Sequence, residues 1–193
     1  MADAYRALAW HNGVMADMEF ANGGGIRSSI EAGEHTYGDV INVRPFNNQL
    51  CYVETLGQNI LDALEMSVRN LPEASGGFQQ VAGLSFTART DLPAPAQLEN
   101  GVFAGIEGER RVRNAQVDGQ PLDAARRYKV VSTQYMLVEG GDGMTMFQGD
   151  EAVLLDLDNA ALIEHLRYDL GGVIGSEYAD PNGQGRIRLL DGP

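Results

Sequence analysis

The chain has 193 residues, enough for one domain, or at most two small ones, with a buried core. Its net charge of −13 argues against a general nucleic-acid binder, which normally presents a basic face. A few arginines in a cleft still bind a small anion. No apolar run approaches a membrane span, and no signal-peptide pattern opens the sequence. The single cysteine, Cys51, excludes an intrachain disulfide, and its strand-like neighbours predict a buried, inert thiol.

Apolar periodicity and turn residues predict helices and strands in an irregular order. The first half predicts a helix over 2–13, a strand over 18–21, a polar turn-rich segment over 28–38, a strand over 49–55 and a helix over 57–70. The second half predicts two short strands within 78–88, a loop over 91–101, a hairpin of strands 110–117 and 128–133, a strand over 152–157, a helix over 159–170 capped by Asp158 or Asn159, and a strand over 186–190. Without a regular βαβ alternation, the expected class is α+β, a single domain with a mixed sheet packed with helices.

The segment Asn22-Gly23-Gly24-Gly25-Ile26-Arg27 follows the first predicted strand. Three glycines allow the backbone to adopt positive φ and to approach a ligand closely. The arginine offers a planar set of donors that suits phosphate or carboxylate. The segment therefore indicates an anion or nucleotide site, and the alternative is a tight glycine turn with a surface arginine.

Three further segments carry the types of side chain that recognise small polar ligands. They are 44–48 (RPFNN), with an aromatic and two amides; 75–83 (SGGFQQVAG), a glycine-bracketed turn; and 140–143 (GGDG), a glycine-rich loop around a carboxylate. An aromatic ring offers a face for a base, and amides and a carboxylate bind base or sugar hydroxyls. Each residue has a plainer alternative: Phe46 packs under a loop, Asp142 forms a turn, and Asn22 closes the glycine loop.

The ordered series NGGGIR, RPFNN, GGFQQVAGL, QPLDAARRYKVVSTQY and EGGDG resembles the C-terminal domain of the 5′-nucleotidase family. That family includes ecto-5′-nucleotidases, bacterial UDP-sugar hydrolases and 2′,3′-cyclic nucleotide phosphodiesterases. The resemblance extends over residues 3–188. Five segments in the family's order make chance similarity improbable.

The resemblance implies that residues 1–193 are the substrate-binding domain of a phosphoric ester hydrolase, without its N-terminal metallophosphatase domain. In the family, that separate domain holds two divalent metal ions and activates a water, while the C-terminal domain clamps the nucleoside and rotates to deliver the phosphate. It follows from the resemblance that this chain binds no cofactor and is inactive alone. Its implied partners are a nucleotide or nucleoside and the N-terminal domain, and the implied location is periplasmic, cell-wall or extracellular.

Site residues are implied position by position. Asn22 and Arg27 match family residues near the phosphate and ribose, and Phe46 matches one of two aromatics that sandwich the base. Asn48 lies where the family often contacts the base. Asp142 matches an aspartate that bonds the ribose hydroxyls.

The second stacking aromatic normally lies six residues before that aspartate, where this chain has Met136 beside Tyr135. Met136 could press on a base through its polarizable sulfur, or Tyr135 could stack instead. Because the two side chains alternate along a predicted strand, one of them is expected to face the core.

The sequence does not predict a catalytic or metal centre within the chain. His11, His35 and His165 lack metal-ligand spacing and are expected on the surface or on helix faces, and Cys51 has no activating neighbour. Two other functions stay open: a stand-alone module that binds nucleosides or small polar ligands without hydrolysis, and an interaction domain whose cleft has lost its ligand.

Overall fold

The computed structural model describes residues 1–180 and 183–192. Their α-helices are α1 Ala2–His11, α2 Tyr37–Val43, α3 Gly57–Val68, α4 Gln134–Leu137 and α5 Asp158–Glu164, which continues as a π-helical turn over His165–Asp169. Their strands are β1 Met18–Asn22, β2 Gln49–Leu56, β3 Gln79–Ala82, β4 Leu84–Arg89, β5 Ala96–Glu99, β6 Val102–Ile106, β7 Val112–Val117, β8 Gln120–Pro121, β9 Arg127–Thr133, β10 Ala152–Leu157 and β11 Ile187–Leu190. The mixture confirms the predicted α+β class.

The central sheet has five strands in the order β10-β2-β9-β1-β3. It is mixed, because β1 runs parallel to β9 and antiparallel to β3, while β2 pairs antiparallel with β9 and β10. Every residue of β1 is buried. Met18 and Phe20 belong to the core that includes α3, whereas Ala21 belongs to the cluster that includes α1. β1 is therefore covered on both faces, and its polar residues Glu19 and Asn22 are buried as well.

The second sheet corrects the predicted hairpin. The turn at Asp118-Gly119, with φ of +47° and +76°, joins β7 to β8 and not to the strand at 128–133. That strand, β9, enters the central sheet instead. The second sheet then has the order β11-β4-β7-β8, with β11 parallel to β4. The strong turn signal was correct, but the partner was wrong because β8 has only two residues.

The predicted loop over 91–101 is also wrong in its second half. β5 and β6 form an antiparallel hairpin around Asn100 and Gly101, whose φ values are +51° and +84°. An Asn-Gly pair between two strands is a strong hairpin signal. The two prolines before it, Pro93 and Pro95, obscured that signal.

Helix α2 was not predicted, because residues 28–38 were interpreted as turns and no element was predicted for residues 39–43. It begins with a reciprocal capping box: Asp39 N–H donates to Thr36 Oγ1, and Thr36 N–H donates to the Asp39 carboxylate at 2.8 Å. With seven residues, α2 is too short to show clear helical periodicity. It ends at Val43, directly before the segment that carries Phe46.

The other predicted helices and strands agree with the structure and appear within a few residues of their expected bounds. Cys51 is fully buried in β2, and burial raises the pKa of its thiol to about 11. Among the described residues there is no helix whose length and hydropathy would allow it to traverse a bilayer.

Candidate functional site

The turn after β1 is built by close packing. A 3-10 turn, Gly23–Gly25, bonds to the glycine-bracketed turn at 75–78, with Gly23 N–H donating to the Phe78 carbonyl at 2.8 Å and Gly24 N–H to the Gly76 carbonyl at 2.8 Å. A Cβ at Gly24 would lie 3.2 Å from Gly76 Cα. None of the three glycines has positive φ. The glycines are therefore needed for close approach of two backbones, and the two bonded amides are not directed at a ligand.

Asp142 is the centre of a polar cluster beside this turn. Asn22 donates from Nδ2 to Asp142 Oδ2 at 2.9 Å, and the Tyr135 hydroxyl lies 3.4 Å from Oδ1 while it accepts from Asp142 N–H at 3.2 Å. Asp142 has φ of +55°, a left-handed conformation that Asp tolerates. Arg69 Nη2 donates to the backbone carbonyl of Asp142 at 3.4 Å. The structure thus brings together Asn22, Tyr135 and Asp142, three of the predicted site residues.

Phe46 and Arg27 form a second, exposed part of the site. The Phe46 side chain is 58% exposed, so it does not pack under a loop. The Arg27 guanidinium carbon lies 5.9 Å from the ring centroid, within cation–π range. Arg27 Nη1 donates to the Gly24 carbonyl at 3.3 Å, and no described carboxylate forms an ion pair with Arg27. An exposed ring and an unpaired cation therefore lie together on the surface.

Asn48 joins the site through a buried ion pair. Its Nδ2 donates to Asp158 Oδ2 at 3.1 Å, and its carbonyl accepts from Asp158 N–H at 2.9 Å. Arg44 approaches the same Oδ2 from Nε at 3.0 Å and from Nη2 at 2.8 Å, and both charged side chains have no solvent exposure. The Nη2 contact is electrostatic, since its geometry does not make a second hydrogen bond.

Asp158 is therefore not the cap that the sequence suggested. It is the first residue of α5, whose N-terminal cap position is Leu157, and no side chain makes a capping bond there. Its carboxylate is instead directed to Arg44 and Asn48. The α2–β2 connection is held at Asn47 too, because the Asn47 side-chain carbonyl accepts a bond from Asn159.

Tyr135 and Met136 both lie in a short helix, α4, and not in a strand. The helix directs their side chains to different sides. Met136 is 1% exposed and lies in the main hydrophobic core, whereas Tyr135 is 38% exposed. The Tyr135 ring packs on Gly141, where a Cβ would lie 2.3 Å from a ring carbon. As expected, one of the two faces the core, and of the two only Tyr135 offers a surface to a ligand.

Sequence reasoning missed Arg44, Asp158 and Arg69. Arg44 was noted only as the start of the segment with Phe46, and an arginine next to proline carries no burial signal. Asp158 was interpreted as a cap because acidic residues are common at helix starts. The one available signal was the third glycine, Gly25. A Cβ at Gly25 would lie 1.9 Å from Arg44 Nη1, so only glycine leaves room for the Arg44 side chain.

Two surface grooves lie away from the predicted site residues. One, of about 550 Å³, lies along α1 and includes Trp10 and Arg186; the other, of about 910 Å³, lies between residues 30–37 and 172–179. The two exposed aromatic members of the candidate site, Phe46 and Tyr135, are 58% and 38% exposed. Among residues 1–180 and 183–192, no group of three or more His, Cys, Asp or Glu side chains is arranged to hold a metal ion.

Fold and surface together define an α+β domain that presents aromatic, amide, carboxylate and guanidinium groups at the ends of its strands. The model of the family described as "5′-nucleotidase, C-terminal domain" matches residues 1–149, and the chain belongs to that family. The 5′-nucleotidase of Vibrio cholerae serotype O1 is 37% identical over 137 residues, which cover 71% of this chain and 21% of that protein. Protein UshA of Escherichia coli K12 is 30% identical over 128 residues, covering 66% and 20%.

A solved structure extends the likeness to the whole chain. The 5′-nucleotidase precursor of Thermus thermophilus superposes with a TM-score of 0.79 and 29% identity, and the match covers 100% of this chain and 34% of that chain. The likeness therefore continues past residue 149, through α5 and β11. The chain spans about a fifth of the length of the curated relatives that it matches.

Proposed function

We propose that this chain is the substrate-recognition domain of a metal-dependent 5′-nucleotidase that hydrolyses nucleotide phosphate esters. Two observations carry the proposal. Asn22 and Tyr135 orient Asp142, and the exposed Phe46 ring lies beside Arg27, which bonds to the glycine turn that follows Asn22. Family membership and the similarity to 5′-nucleotidases support the activity of the whole protein.

Phe46 is proposed to bind the base. Its exposed ring presents a π-face, and stacking on such a face is worth about 1–3 kcal/mol per base in proteins that bind single strands. Tyr135 is the proposed second aromatic contact, since Met136 is enclosed by the core. Asn48 is proposed to contact the edge of the base.

Asp142 is proposed to bind the ribose hydroxyls. A carboxylate has about four acceptor sites, so the bonds from Asn22 and Tyr135 leave capacity for two hydroxyl donors. Arg27 is proposed to bind the phosphate, because its guanidinium is exposed and has no ion-pair partner among the described residues. Asn22 contributes by fixing the position of the Asp142 carboxylate.

The hydrolytic step is assigned to another domain of the same polypeptide, with two divalent ions there. No group of His, Cys, Asp or Glu side chains in the described part of the chain is arranged to hold those ions, which supports this assignment. Its contribution is to position the nucleotide, which lowers the entropic barrier to attack on phosphorus. We also propose that the whole protein is periplasmic, cell-wall or extracellular, on the family resemblance.

Calorimetric titration of the chain with adenosine, AMP, UMP and UDP-glucose tests the proposal. We expect binding that Phe46→Ala abolishes and that Trp10→Ala, a change at an equally exposed aromatic on α1, leaves intact. Incubation of the chain with AMP and Mn²⁺, Co²⁺ or Zn²⁺ should release no phosphate. Binding that survives Phe46→Ala, or turnover that persists through further purification, would contradict the assigned roles.

A further inference from the structure

The buried pair Arg44–Asp158 connects the separate segments of the proposed site. Its two side chains have no solvent exposure, and the pair joins residues 114 positions apart. Burying two charges costs several kcal/mol per ion, which close mutual attraction only partly offsets, so such a pair is weak evidence for a role in stability alone. The contacts of the pair with Asn22 and Asn48 point to a role in positioning.

Hydrogen bonds extend from this pair to both neighbouring binding segments. Arg44 Nη1 donates to the Asn22 carbonyl at 3.4 Å, and Gly25 leaves the space that the guanidinium occupies. Asp158 holds Asn48 through its side-chain and backbone groups, at 3.1 and 2.9 Å. The exposed Phe46 lies between Arg44 and Asn48 in the chain. Arg44 and Asp158 therefore fix both ends of the segment that presents the base-binding ring.

Asp158 also determines which edge of the Asn48 amide is available. An ionised carboxylate only accepts hydrogen bonds, so the amide NH2 must point toward Asp158 Oδ2. Rotation of the amide by half a turn would bring two acceptor oxygens face to face. The carbonyl oxygen of Asn48 is therefore held as an acceptor on the side away from Asp158, while the second N–H of the amide remains a donor.

We propose that Asp158, paired with Arg44, is a positioning residue that fixes the Asn48 carbonyl oxygen as the acceptor for an exocyclic amino group and so selects bases that carry one. The selected substrates are amino-bearing nucleotides such as AMP and CMP, over the oxo-bearing IMP and UMP. This inference rests on the proposed function, in which Asn48 contacts the base. Asp158 lies outside the part of the chain that the family model matches.

The test is calorimetric titration of the protein with AMP, IMP, CMP and UMP. The members of each pair differ at the base edge: AMP and CMP carry an exocyclic amine beside an unprotonated ring nitrogen, whereas IMP and UMP carry a carbonyl oxygen beside a ring N–H. We expect AMP to bind about tenfold more tightly than IMP, and CMP than UMP by a similar factor, as one hydrogen bond and one avoided acceptor clash would give. Asn48→Ala, which leaves the ion pair intact, should reduce both ratios to near one.

Asp158→Asn gives the second arm, because its amide can pair with Asn48 in either orientation. The ratio of AMP affinity to IMP affinity should fall toward one while AMP still binds. If Asp158 had only a structural role, its replacement would weaken the binding of both nucleotides by the same factor. If that variant does not fold, the apolar double change R44M and D158L replaces the pair and also releases the Asn48 amide. A retained ratio in a folded Asp158 variant overturns the proposal.

The outcomes separate this inference from the proposed function. Equal binding of AMP and IMP by the unaltered protein, together with loss of binding in Phe46→Ala, overturns the inference alone. Absence of binding by all four nucleotides overturns the proposed function and this inference with it.

Discussion

The side-chain amide of Asn22 donates a 2.9 Å hydrogen bond to the carboxylate of Asp142, which lies 120 residues later in the chain. The bond joins the end of β1 to the turn at Gly141–Gly143 and fixes one carboxylate oxygen, while the Tyr135 hydroxyl lies near the other. This relationship makes Asp142 a preorganised acceptor, and preorganisation reduces the entropic cost of binding a ligand.

Replacing Asp142 tests its proposed role with the ribose. We expect Asp142→Ala to weaken adenosine binding about tenfold or more, because hydrogen bonds to a charged group are worth about 1.5–3 kcal/mol. Binding of 2′,3′-dideoxyadenosine, which lacks both hydroxyls, should change little. Asp156→Ala, which removes an exposed carboxylate, is the control for net charge. Equal losses for the two nucleosides would show that Asp142 does not bind the hydroxyls.

Because the Tyr135 ring packs on Gly141, we expect substitutions at these two residues to have non-additive effects on stability. A Cβ at Gly141 would lie 2.3–2.5 Å from three atoms of the Tyr135 ring, so Gly141→Ala must displace that ring. We expect a loss of about 1–3 kcal/mol in the free energy of unfolding, as for overpacking in general. In a Tyr135→Ala background the same change should cost much less. Urea unfolding of the four proteins measures the coupling, and additive costs would contradict the predicted clash.

Substitutions of Tyr135 and Met136 should affect different properties: Met136 should support stability, and Tyr135 should support nucleoside binding. Met136→Ala leaves a cavity in the core and should lower the free energy of unfolding by about 2–5 kcal/mol. Tyr135→Ala should cost little stability but weaken nucleoside binding several-fold. Unfolding and titration of both variants provide the comparison. A Met136→Ala protein that keeps its stability and loses binding would assign the second base contact to Met136 instead.

Glu19 predicts a pH dependence of stability. The residue lies in β1 with no solvent exposure, neither carboxylate oxygen has a hydrogen-bond partner in the described parts of the chain, and burial raises its pKa from an ordinary value near 4.5 to about 8. Arg6 and Asp3 on α1, Arg186 before β11, and Asp118 in the β7–β8 turn also act on it electrostatically.

Because the pKa of Glu19 is raised in the folded state, stability should fall as pH rises. Between pH 4.5 and 8 the folded state keeps a proton that the unfolded chain has released. This contribution to stability is complete below pH 4.5 and is lost as pH rises to 8, by about 1.4 kcal/mol per unit inside the window. Burial also raises the pKa of Glu65, which acts in the same direction.

Urea unfolding at pH 5 and pH 9 tests this prediction. Glu19→Gln should reduce the difference in unfolding free energy between the two pH values, chiefly by stabilising the protein at pH 9. Glu99→Gln, at an exposed carboxylate on β5, should leave the difference unchanged. The same pH difference in Glu19→Gln as in the unaltered protein would mean that Glu19 is ionised when folded.

Local physical chemistry determined much of this protein from its sequence. Periodic apolar residues gave α1 and α3, and apolar runs gave β1, β2 and β10, because helices and strands must bury one face or both. The glycine-rich segments and the order of motifs were sufficient to identify the family. The predicted positions of Asn22 and Asp142 prove to be joined in space, although their contact with a ligand stays a prediction.

Only the tertiary structure decided which strands pair and which side chains contact one another. It paired β7 with β8, enclosed Met136 in the core and exposed Tyr135, and directed Asp158 to Arg44 and not to a helix cap. Residues 114 and 120 positions apart meet through the packing of several elements, and a linear pattern carries no signal for such a contact. Sequence alone therefore determined which segments form the domain, whereas long-range packing determined which side chains orient one another within it.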